Sequence, residues 1–239
     1  MTENIESRAN RGAGLKPGVS SHLSLTAAAG LALAFGWPYV LGVTGLTKHR
    51  LTDVHDNLVG IAAKWLVVLV LCLIAFALQR LRPSELGIRS LGWRDALAAV
   101  GGTVAALVLS GLASRFVSLP SSVSNLQSLA AMPLSLRVAV VLTAASCEEF
   151  MYRGFGIEEL ALLIRNRWLA GILSLVFFTL AHAGLYGFSA ALVIPGVIGA
   201  VLTLLYLWRR NLFGCMLMHA LIDGLFVVLL PALMVAPGK

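Results

Sequence analysis

Six ionisable residues lie inside or at the ends of three otherwise apolar stretches of the chain, and they restrict its fold more than any other feature. They are Glu148, Glu149, Arg153, His182, His219 and Asp223. An ionisable side chain at membrane depth is costly, so it is found there with a partner and usually with a function. Carboxylates, imidazoles and a guanidinium are also the groups of hydrolytic chemistry. The chain is therefore expected to fold around these residues as one polar site.

The residues around this set are too apolar for a soluble domain. Hydrophobic residues make up 59% of the 239 residues, charged residues only 12%, and the mean hydropathy is +0.89. About seven segments are long enough to cross a hydrocarbon layer roughly 30 Å thick. The sequence thus predicts an all-α, polytopic transmembrane helix bundle with its active site within the membrane.

The predicted spans follow a polar, glycine-rich tail over residues 1–21, which lacks hydrophobic periodicity. Their bounds are Leu23 to Leu46, Asn57 to Leu78, Asp95 to Ser114, Leu134 to Phe155, Trp168 to Gly184, Phe188 to Trp208 and Leu212 to Val235. Residues 22–239 are expected to form a single transmembrane domain, with the catalytic core at about 134–230. Pro38 is expected to kink the first span.

The distribution of basic residues predicts the orientation. Lys and Arg are more frequent in the N-terminal tail and in the loops after spans 2, 4 and 6 than on the opposite side. Because cytoplasmic loops carry the excess of basic residues, the N-terminus is expected in the cytoplasm. The membrane is expected to be a prokaryotic plasma membrane. The net charge of +7 then reflects topology, and no nucleic-acid partner is expected. Lys64, inside the second span, is expected to extend towards the membrane surface.

Helical spacing separates the two adjacent acids. Glu149 and Arg153 are four residues apart and share a helix face, which predicts a salt bridge between them. Glu148 points about 100° away on the same helix. Glu148 therefore stays available as a general base, while Glu149 pairs with Arg153 and has an orienting role.

The other two motifs repeat the four-residue spacing. Phe178 with His182, and His219 with Asp223, each present one stripe of a helix to the bundle interior. The rise of about 1.5 Å per residue places both histidines and Glu148 at intermediate depth in their spans. Three helices can thus meet at one cavity within the membrane.

Each motif also has a structural interpretation. An intrahelical pair of Glu149 and Arg153 could simply stabilise a helix end, and His182 could be a hydrogen-bonded interior residue. His219 with Asp223 could clamp two helices together. The occurrence of all three motifs together favours an active site.

A second acid pair follows ten residues later. Glu158 and Glu159 lie close in sequence to Arg165 and Arg167. Mixed charges of this kind are typical of a solvated face. We therefore expect a solvated cytoplasmic connection here and not a second site.

The three motifs resemble those of the CAAX protease and bacteriocin-processing family (CPBP, or Abi) of intramembrane proteases, including type II CAAX prenyl endopeptidases. The family's hallmarks are Glu-Glu-x-x-x-Arg, Phe-x-x-x-His and His-x-x-x-Asn or Asp on successive membrane helices. This chain has all three in order, between about Thr143 and Phe226. The resemblance implies an endopeptidase in which Glu148 activates water together with His182.

The resemblance also implies roles for the remaining residues. Glu149 and Arg153 would organise the catalytic glutamate, and His219 with the residue at position 223 would hold the oxygen of the scissile carbonyl. The prenyl-protein proteases prefer Asn at this last position, and an ionised Asp cannot donate a hydrogen bond to an oxyanion. Asp223 is therefore expected to orient His219, to be protonated or to serve as a metal ligand.

Two forms of the hydrolysis are open, because members of the family are commonly described as metalloproteases. Glu148, His182 and His219 could bind zinc and leave one position for water. The chain lacks, however, a His-Glu-x-x-His motif, in which the two histidines bind zinc and the glutamate acts as the base. If Glu148 were a ligand, Glu149 would have to be the base, which conflicts with its pairing to Arg153. The preferred prediction is a mechanism without a cofactor, and a zinc-dependent one is the alternative.

The expected partners are the lipid bilayer and a peptide or protein substrate, in particular a membrane-anchored peptide end that enters a site open to the cytoplasm. Toxin self-protection, pheromone processing and regulated proteolysis are all compatible with such a site. A proton-coupled transporter could use Glu148, His182 and Asp223 as a relay, but the chain shows no paired repeats. A non-catalytic membrane scaffold or immunity protein is the other alternative, and the intact set of motif residues counts against it.

Overall fold

The computed structural model describes residues 17–44, 53–117 and 129–235, which form an all-α bundle with no β-strand among them. Six helices in these ranges are long and apolar enough to cross a membrane. They are Leu25–Thr44, Val54–Leu78, Trp93–Phe116, Arg167–Tyr186, Ala190–Arg209 and Leu212–Leu233. These helices correspond to the predicted spans 1 to 3 and 5 to 7. The predicted all-α polytopic membrane fold is confirmed.

The first half of the chain contains three long helices. Helix α1 is Pro17–Thr44, α2 is Val54–Cys72 and α3 is Trp93–Ala113. Helix α2 continues as the π-helical segment Leu73–Leu78 and α3 as the 3₁₀ segment Ser114–Phe116. A separate 3₁₀ turn, Pro83–Leu86, connects them.

The fourth predicted span belongs to a continuous helical segment over residues 134–164, which we call the site helix. It consists of α4 (Leu134–Thr143), two π-helical segments (Ala144–Glu148 and Phe150–Ile157) and α5 (Glu158–Ile164). It carries more Asp, Glu, Lys and Arg residues than any of the six apolar helices. Wide π turns are rare and are found frequently at functional sites, because they re-aim side chains within a helix.

The second half of the chain surrounds the site helix. Its helices are α6 (Arg167–Ala181), α7 (Ala183–Tyr186), α8 (Val193–Arg209), α9 (Leu212–Asp223) and α10 (Leu230–Val235), with the π-helical segment Gly224–Leu229 before α10. Helices α2 and α9 pack against the first π segment of the site helix, and α1 and α6 pack against the second. The acids at the junction of the two π segments are therefore enclosed on several sides.

Side chains of Asp and Asn define three helix starts. Asp53 accepts a hydrogen bond from the backbone N–H of Asp56 at 3.0 Å and caps α2. Asn166 caps α6 and Asn211 caps α9 in the same way. Each such cap is worth about 1 kcal/mol, since it satisfies a backbone N–H that lacks a partner within the helix.

The predicted tail over residues 1–21 overlaps α1, which covers Pro17–Thr44. Residues 1–16 of the predicted tail lie outside the described residues. Pro38 lies inside α1, at the position where the kink was expected.

The second acid pair is buried, so the prediction of a solvated connection was wrong. Glu158 is 4% exposed and Glu159 is 0% exposed. Glu158 accepts hydrogen bonds from the hydroxyl of Tyr206 at 2.8 Å and from Arg210 at 3.0 Å, and it also pairs with Arg167. Arg167 and Arg210 turn inward because the buried carboxylate of Glu158, in a helix that packs against α6, offers them a charged partner.

Candidate active site

The adjacent acids Glu148 and Glu149 lie where the two π segments of the site helix meet. Glu149 is 0% exposed, whereas Glu148 is 9% exposed. The two carboxylates have different partners, as their positions on the helix predicted. The two adjacent acids therefore belong to separate sets of contacts.

Glu149 forms the expected ion pair with Arg153. The guanidinium NH1 group lies 2.9 Å from Oε1 of Glu149, and both side chains are fully buried. The other arm of the guanidinium donates to the carbonyl oxygen of Gly199 in α8 at 3.1 Å. The plane of Arg153 also lies over the ring of Phe178, 4.3 Å from its centroid. A Cβ atom at position 199 would lie 2.7 Å from Phe178, so glycine permits this close packing.

His219 lies between two carboxylates. Its Nδ1 is 2.7 Å from Oε1 of Glu149, and its Nε2 is 3.3 Å from Oδ2 of Asp223. A neutral imidazole donates from only one nitrogen, so both contacts are hydrogen bonds only when the ring is an imidazolium. Arg153, Glu149, His219 and Asp223 form a continuous series of polar contacts, which we call the Glu149 chain. Its Asp223 end is the open one, with 31% of that side chain exposed.

The Glu149 chain changes one role that the family resemblance implied. Glu149 and Arg153 were expected to organise Glu148. The contacts of Glu149 are instead with Arg153 and His219. The acid that was expected to organise Glu148 therefore contacts the imidazole of His219 on α9.

Glu148 pairs with a residue to which the sequence analysis gave no role at the site. Nζ of Lys64, in α2, lies 2.6 Å from Oε1 of Glu148. The expectation that Lys64 extends to the membrane surface was wrong, because a buried carboxylate within reach lowers the cost of both charges. The indole N–H of Trp65 donates to Thr143 of the site helix at 3.1 Å, next to this pair. The sequence feature that could have identified Lys64 as a site residue is its position as a single lysine in the middle of an apolar span.

His182 is half-buried at the C-terminal end of α6. Its Nδ1 lies 2.8 Å from the carbonyl oxygen of Phe178, and a carbonyl can only accept. Nδ1 therefore carries the proton, and in the neutral ring Nε2 keeps a lone pair. Phe178 lies between the two histidine rings, with its centroid 4.6 Å from that of His182 and 6.3 Å from that of His219.

The six predicted residues thus converge from three places in the fold. The site helix supplies Glu148, Glu149 and Arg153, the end of α6 supplies His182, and α9 supplies His219 and Asp223. Helix α2 adds Lys64. The carboxylate of Glu148 and the imidazole of His182 can accept a proton, while the Glu149 chain holds the imidazole of His219 between two carboxylates.

The residues proposed as zinc ligands do not fit a zinc site in these positions. No three His, Cys, Asp or Glu side chains in residues 17–44, 53–117 and 129–235 are arranged to hold a metal ion. An oxygen of Glu148 faces Lys64, and both ring nitrogens of His219 face carboxylates. Zinc requires deprotonated ligands that point at a common centre, and two of the three ligands already have other partners.

The comparisons with known proteins agree with the motifs. The family described as type II CAAX prenyl endopeptidase Rce1-like matches residues 130–225. No curated protein and no solved structure matches the chain. The matched segment contains the whole site helix and all three motifs, but not Lys64. The family implies a peptidase with a peptide or protein substrate, and the apolar helices place the chain in a membrane as a multi-pass protein. Residues 130–225, which contain the three motifs, are thus similar to the family of type II CAAX prenyl endopeptidases described as Rce1-like.

Proposed function

We propose that the chain is an intramembrane endopeptidase in which Glu148 activates a water molecule to hydrolyse a peptide bond of a membrane-anchored substrate. The observation that carries this proposal is the separation of the two acids. Glu149 is fully buried and engaged with Arg153 and His219, whereas Glu148 is 9% exposed and has only one oxygen in an ion pair. This difference supports Glu148 as the acid that meets a water molecule and a substrate.

The first step is a proton transfer from water. Oε2 of Glu148 accepts the proton, while Nε2 of His182 accepts a hydrogen bond from the same water and orients it. The resulting hydroxide attacks the carbonyl carbon of the scissile bond and forms a tetrahedral oxyanion. Glu148 then passes its proton to the amide nitrogen, and the carbon–nitrogen bond breaks. The products are a carboxylic acid and an amine, and Glu148 returns to its ionised form.

His219 stabilises the oxyanion in this mechanism. Glu149 holds its ring through Nδ1 at 2.7 Å, and the contact of Nε2 with Asp223 is longer, at 3.3 Å. The Asp223 side is also the exposed end of the Glu149 chain, so a substrate oxygen approaches the ring from there. A preorganised donor of this kind contributes about 2.7–4 kcal/mol to transition-state stabilisation. Asp223 orients the ring and does not itself donate.

The proposal also includes the setting of the reaction. No zinc or other cofactor takes part, which is consistent with the partners that Glu148 and His219 already have. The N-terminus lies in the cytoplasm of a prokaryotic cell, and the cavity opens to that side of the plasma membrane. The excess of Lys and Arg in the tail and in the loops after spans 2, 4 and 6 supports this orientation.

The test compares the intact chain with Glu148→Gln and Glu148→Ala, each purified and placed in lipid nanodiscs. Lipid-anchored peptides serve as substrates, and mass spectrometry identifies the cleavage products. We expect kcat to fall by about 10²- to 10⁴-fold in both variants, because the general base is lost, with expression and the fold preserved. Glu148→Ala is also expected to lower thermal stability more than Glu148→Gln, because Lys64 then has no oxygen of residue 148 as a partner. Glu159→Gln is the matched control, since Glu159 is a buried acid of the same helix outside the cavity. Undiminished cleavage by Glu148→Ala would refute the assigned role.

The natural substrate is found by comparing membrane peptide fragments from cells that carry the intact chain with those from cells that carry Glu148→Ala. Fragments that appear only with the intact chain identify the cleaved protein and the bond. Identical fragment patterns, together with no cleavage in nanodiscs, would contradict a peptidase and favour the non-catalytic scaffold.

A further inference from the structure

We infer that Lys64 is a positioning residue for the proposed hydrolysis, because it keeps Glu148 ionised and determines which oxygen of Glu148 faces the substrate. The inference rests on the proposed function and extends it to a residue of α2. Lys64 lies outside residues 130–225, so the family match assigns it no role. It also lies outside the three motifs.

The position of Lys64 along α2 explains why it needs a partner inside the bundle. The apolar helix runs from Val54 to Leu78, and Lys64 lies ten residues from its first residue. At a rise of about 1.5 Å per residue, this is roughly 15 Å from the helix start. An ammonium group at that depth is costly unless a carboxylate or water accepts its protons. Glu148 supplies that carboxylate at 2.6 Å.

The same contact has a consequence for Glu148. A carboxyl group enclosed in a low-dielectric cavity without a counter-ion takes up a proton, and a protonated carboxyl cannot act as a base. The side chain of Glu148 is only 12% exposed, so water alone solvates it poorly. Lys64 offsets this cost, and its contact with Oε1 leaves Oε2 for the water molecule. Lys64 therefore acts through Glu148 and not on the substrate.

The proposed role of Lys64 can be separated from a purely structural role in holding α2 against the site helix. The adjacent residue, Trp65, makes a contact of its own with the site helix. Trp65 donates to Thr143 at 3.1 Å and helps to hold α2 against the site helix. Trp65→Phe removes this hydrogen bond and leaves the charge of Lys64 in place. It is therefore the matched control for a loss of contact between the same two helices.

The experiment measures cleavage of a lipid-anchored peptide in nanodiscs by the intact chain, Lys64→Met, Lys64→Arg and Trp65→Phe. We expect Lys64→Met to lower kcat by about 10- to 100-fold, less than the loss of the base itself, with KM changed by about twofold or less. Lys64→Arg retains the charge and is expected to restore most of kcat. Trp65→Phe is expected to leave kcat within about threefold of the intact chain.

An activity-independent measurement follows the carboxyl group directly. Infrared difference spectra between each chain and its Glu148→Gln counterpart isolate the band of Glu148. We expect the band of an ionised carboxylate in the intact chain and in Lys64→Arg, and the band of a protonated carboxyl in Lys64→Met. A Lys64→Met variant that keeps either full kcat or an ionised Glu148 would overturn the inference.

Two further outcomes remain decisive. If Lys64→Met does not fold but the double variant Lys64→Met with Glu148→Gln does, the unpaired carboxylate is the cause, and the result supports the inferred pairing of Lys64 with Glu148. If neither variant folds, Lys64 is needed for the fold itself and the inference fails. If Glu148→Gln cleaves as fast as the intact chain, the proposed function fails, and the infrared bands alone then decide whether Lys64 keeps Glu148 ionised.

Discussion

Replacement of Arg153 by methionine tests how strongly the Glu149 chain holds the site together. Arg153 is fully buried and makes three contacts: an ion pair with Glu149 at 2.9 Å, a hydrogen bond to Gly199 at 3.1 Å and a cation–π contact with Phe178 at 4.3 Å. Methionine fills much of the same space without the charge. The substitution leaves a buried carboxylate with His219 as its one charged neighbour in the Glu149 chain.

The magnitude follows from these contacts. Removal of one partner of a buried ion pair costs about 3–5 kcal/mol, because the other charge stays in a low-dielectric surrounding. The unpaired carbonyl of Gly199 and the lost cation–π contact belong to the same network, so their costs do not simply add. We expect the free energy of unfolding to fall by about 4 kcal/mol. Addition of Glu149→Gln to Arg153→Met is expected to recover about 1–2 kcal/mol, since the unpaired charge is then absent.

The assay is reversible unfolding in mixed micelles titrated with sodium dodecyl sulfate. Arg209→Met is the matched control, because Arg209 also pairs with an acid, Asp95, but its side chain is 27% exposed. We expect the control to lose about 1 kcal/mol or less. An Arg153→Met variant no less stable than Arg209→Met, or a double variant whose loss equals the sum of the two single losses, would refute the reasoning.

Three further predictions concern the same cavity. Asp223→Asn is expected to retain more kcat/KM than Asp223→Ala, because an amide can still contact His219; equal losses would argue against an orienting role. Gly199→Ala is expected to cost about 1–3 kcal/mol of unfolding free energy through overlap with Phe178, whereas Gly196→Ala, whose nearest neighbour atom would be 3.5 Å from the new Cβ, is expected to cost less. Chelator-treated protein, verified as zinc-free by elemental analysis, is expected to keep full cleavage activity, and a loss restored by zinc would favour the metal-dependent mechanism.

Contacts within one helix could be predicted from the sequence. Glu149 with Arg153, and His219 with Asp223, are pairs four residues apart, and both are in contact. Helix geometry alone brings such residues together, whatever the helix packs against. The separation of Glu148 from Glu149 follows from the same geometry.

Contacts between helices could not be predicted in this way. Lys64 reaches Glu148 across 84 positions of the chain, and His219 reaches Glu149 across 70. The burial of Glu158 beneath Tyr206 and Arg210 is a further case, since charge pattern alone indicated a solvated loop. These pairings depend on how the helices are rotated and staggered against each other, and periodicity does not specify that.

The sequence by itself determined that this chain is a membrane helix bundle, because its apolar segments are long enough to span a bilayer and the few charges within them are too costly to be incidental. Its three motifs with fixed spacings also resemble those of one family of intramembrane proteases. Only the tertiary structure decided which helix supplies the partner of each acid. Glu149 turns to Arg153 and His219, while Glu148 turns to Lys64, because a buried charge is stable only beside the partner that packing brings to it.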